Sequence, residues 1–184
     1  MLIGAQEIHA LLPHTQCTRC GFTGCQPYAE AIADNTAAIN RCPPGGAETI
    51  KALARLLNRK VLALEPECGI EQESMVAVID HELCIGCARC LPPCPVDAIV
   101  GATRQMHTVI NNLCTGCELC IAPCPVDCIS LAPRANLGAD SHRPSSLKNL
   151  ERYTIHTMRH TRRDQDQLSL LNERKLLATS KSSP

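Results

Sequence analysis

The sequence has almost no large aromatic side chains: its 184 residues include no Trp, one Phe and two Tyr. Such side chains usually supply much of the apolar area that a core buries. No apolar run reaches the length of about 18 residues that a membrane helix needs, so we expect no segment to span a bilayer. The start, MLIGAQEIHALLPH, lacks the basic residues, apolar stretch and cleavage pattern of a signal peptide. We therefore expect a cytoplasmic protein with reduced thiols.

Charge is unevenly distributed, although the formal net charge is zero. Residues 1–131 contain 8 Lys and Arg against 13 Asp and Glu, whereas residues 132–184 contain 10 against 5. The chain is therefore an acidic body followed by a basic tail. Such a tail is either simply solvated or meets an acidic partner or an anionic lipid surface.

Cysteine, in contrast, is abundant: the chain has 14, and eight of them fall in two copies of one motif. The pattern C-x2-C-x2-C-x3-C-P starts at Cys84 and again at Cys114. This is the bacterial iron–sulfur spacing, in which three cysteines bind one [4Fe–4S] cluster and the fourth binds the other. The predicted ligands are Cys84, Cys87, Cys90 and Cys124 for one cluster, and Cys114, Cys117, Cys120 and Cys94 for the other.

Two other uses of these cysteines are disfavoured by the pattern. Zinc held by two C-x2-C pairs would leave the third cysteine of each run, and the cysteine before the proline, without a role. Disulfides are disfavoured because closely spaced cysteines in a reducing compartment are more often metal ligands. Eight cysteines and two prolines at fixed spacing in two copies favour iron–sulfur clusters.

Three more cysteines stand near the N-terminus, in QCTRCGFTGC, and three thiolates do not complete a cluster. Cys42 is followed by proline, as is the last cysteine of each repeat, whereas Cys68 is followed by glycine in an acidic stretch. We predict that Cys42 is the fourth ligand and that Cys68 and Cys128 are not ligands. The third predicted set is Cys17, Cys20, Cys25 and Cys42.

The local pattern predicts several elements. Helices are expected in QPYAEAIADNTAAINR, which has an early proline and many alanines, and in the amphipathic segment GGAETIKALARLLNR. MVAVI and HTVI are short and rich in β-branched residues, which indicates strands. In the tail, the sequence pattern predicts one or two weakly amphipathic helices, or a partly disordered appendage. His9, His14, His81 and His107 are interpreted as surface residues, and His81 as a residue that could tune the cluster near Cys84.

Residues 75–132 resemble the two-cluster bacterial ferredoxins. The order C-x2-C-G-x2-G-C-x2-Y-A, then C-P-P-G-G, then two ferredoxin motifs resembles the B subunit of the Rnf-type (Rsx) electron transport complex, over about residues 5–132. The first module alone is also similar to corrinoid iron–sulfur subunits. The expected fold is α+β, with a small helical [4Fe–4S] domain (1–64), a linker (65–74), a ferredoxin-like 2[4Fe–4S] domain (75–132) and a basic, partly helical or disordered tail (133–184).

This resemblance implies a relay of single electrons through three [4Fe–4S] clusters, in a subunit with no substrate site of its own. Its implied partners are ferredoxin, nicotinamide-linked subunits and membrane subunits that move ions. Members of the family typically have a hydrophobic anchor helix before the first cluster domain, and this sequence departs from that pattern. We therefore expect either a B subunit or a soluble relative, cytoplasmic or peripheral on the inner face of the cytoplasmic membrane.

The residues alone leave an alternative function open. A metal-stabilised redox-sensing or nucleic-acid-binding regulatory module could use the basic tail to contact phosphates. The scarcity of aromatic residues for stacking and the acidic cluster body disfavour this interpretation, so no nucleic-acid partner is expected.

Overall fold

The computed structural model describes residues 3–71, 73–138 and 142–181. These residues form a mixture of helices and small sheets. Within these ranges the helices are α1 (Ala5–Ala10), α2 (Cys25–Ala33), α3 (Gly46–Leu56) and α4 (Ser146–Lys181), and the strands are β1 (Met75–Ile79), β2 (Ile99–Val100), β3 (Thr108–Val109) and β4 (Ile129–Pro133).

Helices α1, α2 and α3 surround the first of two apolar cores. The helix predicted after Cys25 is confirmed in its first half as α2, which ends at Ala33, and the helix predicted in the amphipathic segment is confirmed as α3. Helix α3 buries Ile50, Leu53 and Ala54, which lie on one face at a helical spacing. Tyr28 of α2 is 1% exposed and supplies the largest side chain of this core.

Two antiparallel strand pairs flank the second core. Strand β1 pairs with β4, from Met75 opposite Pro133 to Ile79 opposite Ile129, and β2 pairs with β3. The predicted strands are confirmed at β1 and, in shortened form, at β3. Each pairs with a strand that follows a Cys-Pro motif, and the sequence pattern did not predict those partner strands.

The two cysteine repeats have the same backbone conformation at their central glycines, which are 30 residues apart. Gly86 and Gly116 have φ angles of +68° and +70°. A Cβ atom at Gly86 would lie 2.6 Å from the backbone nitrogen of Gln105, and one at Gly116 would lie 2.5 Å from the carbonyl oxygen of Met75. Glycine is therefore required here both by its backbone angle and by close packing.

The tail is one continuous helix, α4, in its described part. Asn149 Nδ2 donates to the Pro13 carbonyl at 3.0 Å, and Arg152 Nε donates to the Val96 carbonyl at 2.5 Å. His156 Nδ1 lies 2.8 Å from Asp97 Oδ1, and Arg159 pairs with the other oxygen of the same carboxylate. The first half of α4 thus contacts both the N-terminal region and the first repeat, whereas residues 161–175 are exposed.

None of the helices in the described ranges combines the length and the apolar character that crossing a bilayer requires.

Candidate iron–sulfur cluster sites

The N-terminal site is built from two loops and the start of α2. Cys25 begins α2, and its backbone N–H donates to Gln16 Oε1 at 2.9 Å. Cys20, Cys25 and Cys42 are buried, and Cys17 is half-buried. Burial raises the pKa of Cys42, and the thiols of Cys25, Cys17 and Cys20 are close enough to raise it further. The structure therefore brings all four predicted residues together.

Cys68 is also buried and lies at the edge of this group. The pKa of Cys20 is raised by burial, then by Cys17 and, to a smaller extent, by Cys68. The thiol of Cys68 is itself influenced by the guanidinium of Arg41, which opposes the effect of burial on its pKa. The pKa of Cys42 is influenced by three members of the group, whereas the influence described for Cys68 is on Cys20.

Tyr28 holds the segment that leads to Cys42. Its hydroxyl donates to the Ala38 carbonyl at 2.8 Å and accepts the backbone N–H of Arg41 at 3.0 Å. The Arg41 side chain in turn donates from Nε to the Cys20 carbonyl at 3.1 Å. These bonds fix the loop before Cys42 to α2 and to the loop of the first cysteines.

The first ferredoxin-type group consists of the first three cysteines of one repeat and the last cysteine of the other. Burial raises the pKa of Cys90 to about 11, and the thiols of Cys87, Cys84 and Cys124 contribute to this rise. Cys124, which follows Cys90 by 34 residues in the sequence, therefore lies with this group.

The second group has the reciprocal composition. Burial raises the pKa of Cys120 to about 12, with contributions from Cys117, Cys114 and Cys94. The same four cysteines line a single cavity, together with Ala77, Val96, Ala98, Ile99, Thr115 and Glu118. The fourth cysteine of each repeat thus crosses to the other repeat, as the sequence pattern predicts.

The donor sets fit [4Fe–4S] clusters in number and chemistry, since each group offers four thiols and backbone donors to sulfur. The Ala98 N–H, for example, donates to Cys94 Sγ at 3.2 Å. Iron binds the thiolate form of cysteine, so thiols that bind a cluster would release their protons. Across the described ranges, no three His, Cys, Asp or Glu side chains form a group suited to a single metal ion.

The N-terminal site and the second ferredoxin-type group meet through their cysteine loops. Arg19, between Cys17 and Cys20, forms an ion pair with Glu118, between Cys117 and Cys120. Thr115 Oγ1 also donates to the Thr15 carbonyl at 3.4 Å. These contacts place loops of the two sites side by side.

The interpretation of the histidines as surface residues was partly wrong. His14 and His107 are each 1% exposed, because the first packs beside the N-terminal site and the second against the first ferredoxin-type group. Burial and, to a smaller extent, charge repulsion from His9 together lower the pKa of His14 to about 4. His81 is exposed, and its Nε2 lies 3.3 Å from Thr108 Oγ1. The sequence pattern gave no sign of the burial of His107, although the Met-His-Thr-Val stretch places it at a strand start.

Two family models match the chain at these groups. Residues 77–131 match the family described as "4Fe-4S dicluster domain", and this range contains all eight cysteines of the repeats. Residues 12–44 match the family described as "Putative Fe-S cluster", and this range contains Cys17, Cys20, Cys25 and Cys42.

Curated relatives are named as the B subunit of an ion-translocating oxidoreductase complex. The chain is 60% identical over 105 residues to that of Azoarcus sp. (strain BH72), a match that covers 57% of each chain. It is 56% identical over 107 residues to that of Alkalilimnicola ehrlichii, covering 58% of each chain. It is 60% identical over 106 residues to that of Stutzerimonas stutzeri (strain A1501), covering 58% of this chain and 54% of the relative.

The match thus spans a little over half the length of these relatives. It confirms the resemblance predicted from the cysteine motifs. Over these residues, the chain is similar in sequence to proteins named as the B subunit of an ion-translocating oxidoreductase complex.

Proposed function

We propose that this protein relays single electrons through three [4Fe–4S] clusters, either as the B subunit of an Rnf-type complex or as a relative of that subunit. The proposed ligand sets are an N-terminal site of Cys17, Cys20, Cys25 and Cys42, a first ferredoxin-type site of Cys84, Cys87, Cys90 and Cys124, and a second ferredoxin-type site of Cys114, Cys117, Cys120 and Cys94.

The observation that carries the proposal is the grouping of twelve thiols into three sets of four. Cys94 and Cys124 each lie with the three cysteines of the opposite repeat. This exchange is the arrangement that two-cluster ferredoxin motifs use to close both sites. A cluster with four cysteine ligands, when bound, accepts and donates one electron at a time and has no open iron position for a substrate.

Contacts between the sites support a relay. The ion pair of Arg19 with Glu118 holds the N-terminal site against the second ferredoxin-type site. That site shares one core with the first ferredoxin-type site, because Cys90, Cys94, Cys114 and Cys124 all belong to it. These contacts support a relay that runs through the proposed sites in the order N-terminal, second, first. The residues position the sites and bury most of their thiols, and no proton transfer is needed.

The partners follow from the relatives, which are named as subunits of a complex. We propose that other redox subunits of such a complex, or a ferredoxin, exchange electrons with this chain. Residues 161–175 of α4 are exposed and contain four basic residues and three acidic ones, namely Arg162, Arg163, Arg174 and Lys175 against Asp164, Asp166 and Glu173. This half of the helix is the proposed docking element for a partner or for the anionic inner face of the membrane.

The test is anaerobic purification of the full chain with iron and sulfide analysis. Three clusters require about twelve iron and twelve sulfide per chain, and visible absorption that bleaches with dithionite. About eight iron would refute the N-terminal site. Zinc, or absorption that dithionite does not change, would refute the relay and favour a metal-stabilised regulatory module. Co-purification from cells, repeated without residues 161–184, tests the partners and the docking element.

A further inference from the structure

The two ferredoxin-type sites differ in the side chains that surround their thiols. The repeats can be compared by position, because the register of β1 with β4 matches that of β3 with β2 at an offset of 30 residues. Ile79 opposite Ile129 corresponds to Val109 opposite Ile99. His107 is therefore the structural counterpart of Ala77, and Cys128 is the counterpart of Ala98.

Cys128 lies against a ligand of the first site. Its Sγ is buried and lies 3.5 Å from Cys124 Sγ. A cysteine bound to iron is a thiolate and can only accept a hydrogen bond, whereas Cys128 is outside the proposed ligand set and carries an S–H group. The proton between the two sulfurs therefore belongs to Cys128, and Cys128 is the donor.

His107 approaches another ligand of the same site. Its Nδ1 lies 3.7 Å from Cys84 Sγ, and its Nε2 is buried without a hydrogen-bond partner among the described residues. A proton on Nδ1 lets the ring donate to the Cys84 thiolate. A proton on Nε2 would instead leave a buried donor unpaired and turn a lone pair towards the thiolate, so the first tautomer is favoured.

The histidine ring is held in this position by a glycine. A Cβ atom at Gly101 would lie 2.4 Å from the His107 ring, and Gly101 has a φ angle of +155°. The ring is therefore packed directly on the backbone of the first repeat. The contact with Cys84 is fixed by the fold.

At the second site, alanines occupy both positions. Ala77 and Ala98 line the cavity formed by Cys94, Cys114, Cys117 and Cys120. A methyl group cannot donate a hydrogen bond. The donors described at this site are the backbone N–H groups of Ala98 and Val96 on Cys94 and the Thr115 side chain on Cys117. At the two positions that His107 and Cys128 occupy in the other half, the second site has no side-chain donor.

We infer that His107 and Cys128 are positioning residues that raise the reduction potential of the cluster held by Cys84, Cys87, Cys90 and Cys124. Hydrogen bonds to the sulfurs of a cluster stabilise its more negative, reduced form. The inference rests on the proposed function. The Arg134 guanidinium, which donates to the Cys114 carbonyl, acts on the second site. The prediction therefore concerns the shift in the reduction potential of the first ferredoxin-type cluster when His107 or Cys128 is replaced.

The experiment is an anaerobic redox titration of the full chain, followed by electron paramagnetic resonance. Cys128→Ala and His107→Leu should each lower the same midpoint potential, by up to about tenfold in the equilibrium constant, which is about 59 mV for one electron. Ala98→Cys supplies the matched control: it should raise a different midpoint. Cys128→Ser and His107→Asn, which keep a donor, should shift the first midpoint less than the variants without one.

The outcomes separate the inference from the proposed function. Unchanged midpoints in Cys128→Ala and His107→Leu at full iron content would overturn the inference and leave the relay standing. So would shifts in two different midpoints. If Cys128→Ala and His107→Leu lose iron, Ala98→Cys tests the thiol donor instead. An unchanged midpoint potential of the second site in that variant would refute the role of the thiol donor. Wild-type protein without cluster signals would refute the proposed function, and the inference with it.

Discussion

Replacing Tyr28 with Phe should weaken the N-terminal cluster site without touching a ligand. The hydroxyl of Tyr28 joins α2 to both ends of the segment before Cys42, through the Ala38 carbonyl and the Arg41 N–H. Phe keeps the ring in the core but removes both hydrogen bonds. The loop that presents Cys42 would then be held by fewer contacts, while the two ferredoxin-type sites keep all of theirs.

The size of the effect follows from these two bonds. Each is worth about 1 kcal/mol in net stability, and the Ala38 carbonyl can be rehydrated because Ala38 is exposed. The expected loss is therefore about 1 to 2 kcal/mol, which corresponds to about fivefold to thirtyfold in the equilibrium for opening the loop.

Release of iron to a coloured chelator, followed anaerobically, measures this opening. In Tyr28→Phe, about four of twelve irons should be released about fivefold to thirtyfold faster, and the remaining eight at the wild-type rate. Tyr153→Phe, on α4, is the matched control and should behave as wild type. Uniform acceleration of all twelve irons, or no acceleration, would refute the reasoning.

Four further predictions concern ligands, folding, pH and the tail. Cys42→Ser should reduce the iron content from about twelve to about eight, and Cys68→Ser should not; the reverse result in metal analysis would move the ligand to Cys68. Removal of all iron should abolish the cooperative calorimetric transition, because ligand bonds supply much of the folding energy. Between pH 6.5 and about 4, His14 binds a proton in the unfolded chain but not in the folded one. The free energy of unfolding should therefore fall by up to about 1.4 kcal/mol for each unit by which the pH is lowered in this range. Anaerobic denaturant titrations measure this slope, and His14→Leu should flatten it. Asp97→Asn should remove the ion pair with Arg159 and weaken the contact with His156, and so loosen α4 by about 1 kcal/mol or less for each. Faster amide exchange in residues 146–160 would show this, and unchanged exchange would assign these contacts no role.

The cysteine groups could be predicted from the sequence because ligand spacing is a local property. The two copies of the motif also align with each other without a gap. Helices α2 and α3 were predictable for the same reason, from proline, alanine and apolar periodicity. The partner strands β2 and β4 were not, because β2 is only two residues long and both depend on pairing across the repeat. The docking of α4 depends on polar contacts with Asp97 and Pro13, which have no periodic signal.

The burial of His107 could not be predicted from the sequence either. A histidine beside a strand is compatible with either face, and its position is decided by the close approach of Gly101. Arg134 is a similar case, since its side chain donates to the carbonyls of Asn111 and Cys114 although the sequence pattern assigns it to the start of the tail. The contacts of Arg134 and α4 indicate that the tail supports the cluster body.

The exchange of Cys94 and Cys124 between the repeats has a consequence for synthesis of the chain. With the proposed ligands, the N-terminal site is complete once Cys42 has been made, whereas the ferredoxin-type sites wait for Cys120 and Cys124. At about 5 to 20 residues per second, roughly 4 to 16 s separate Cys42 from Cys124 on the ribosome. The N-terminal cluster can therefore be inserted while translation continues, whereas the two ferredoxin-type sites become complete within a second of each other.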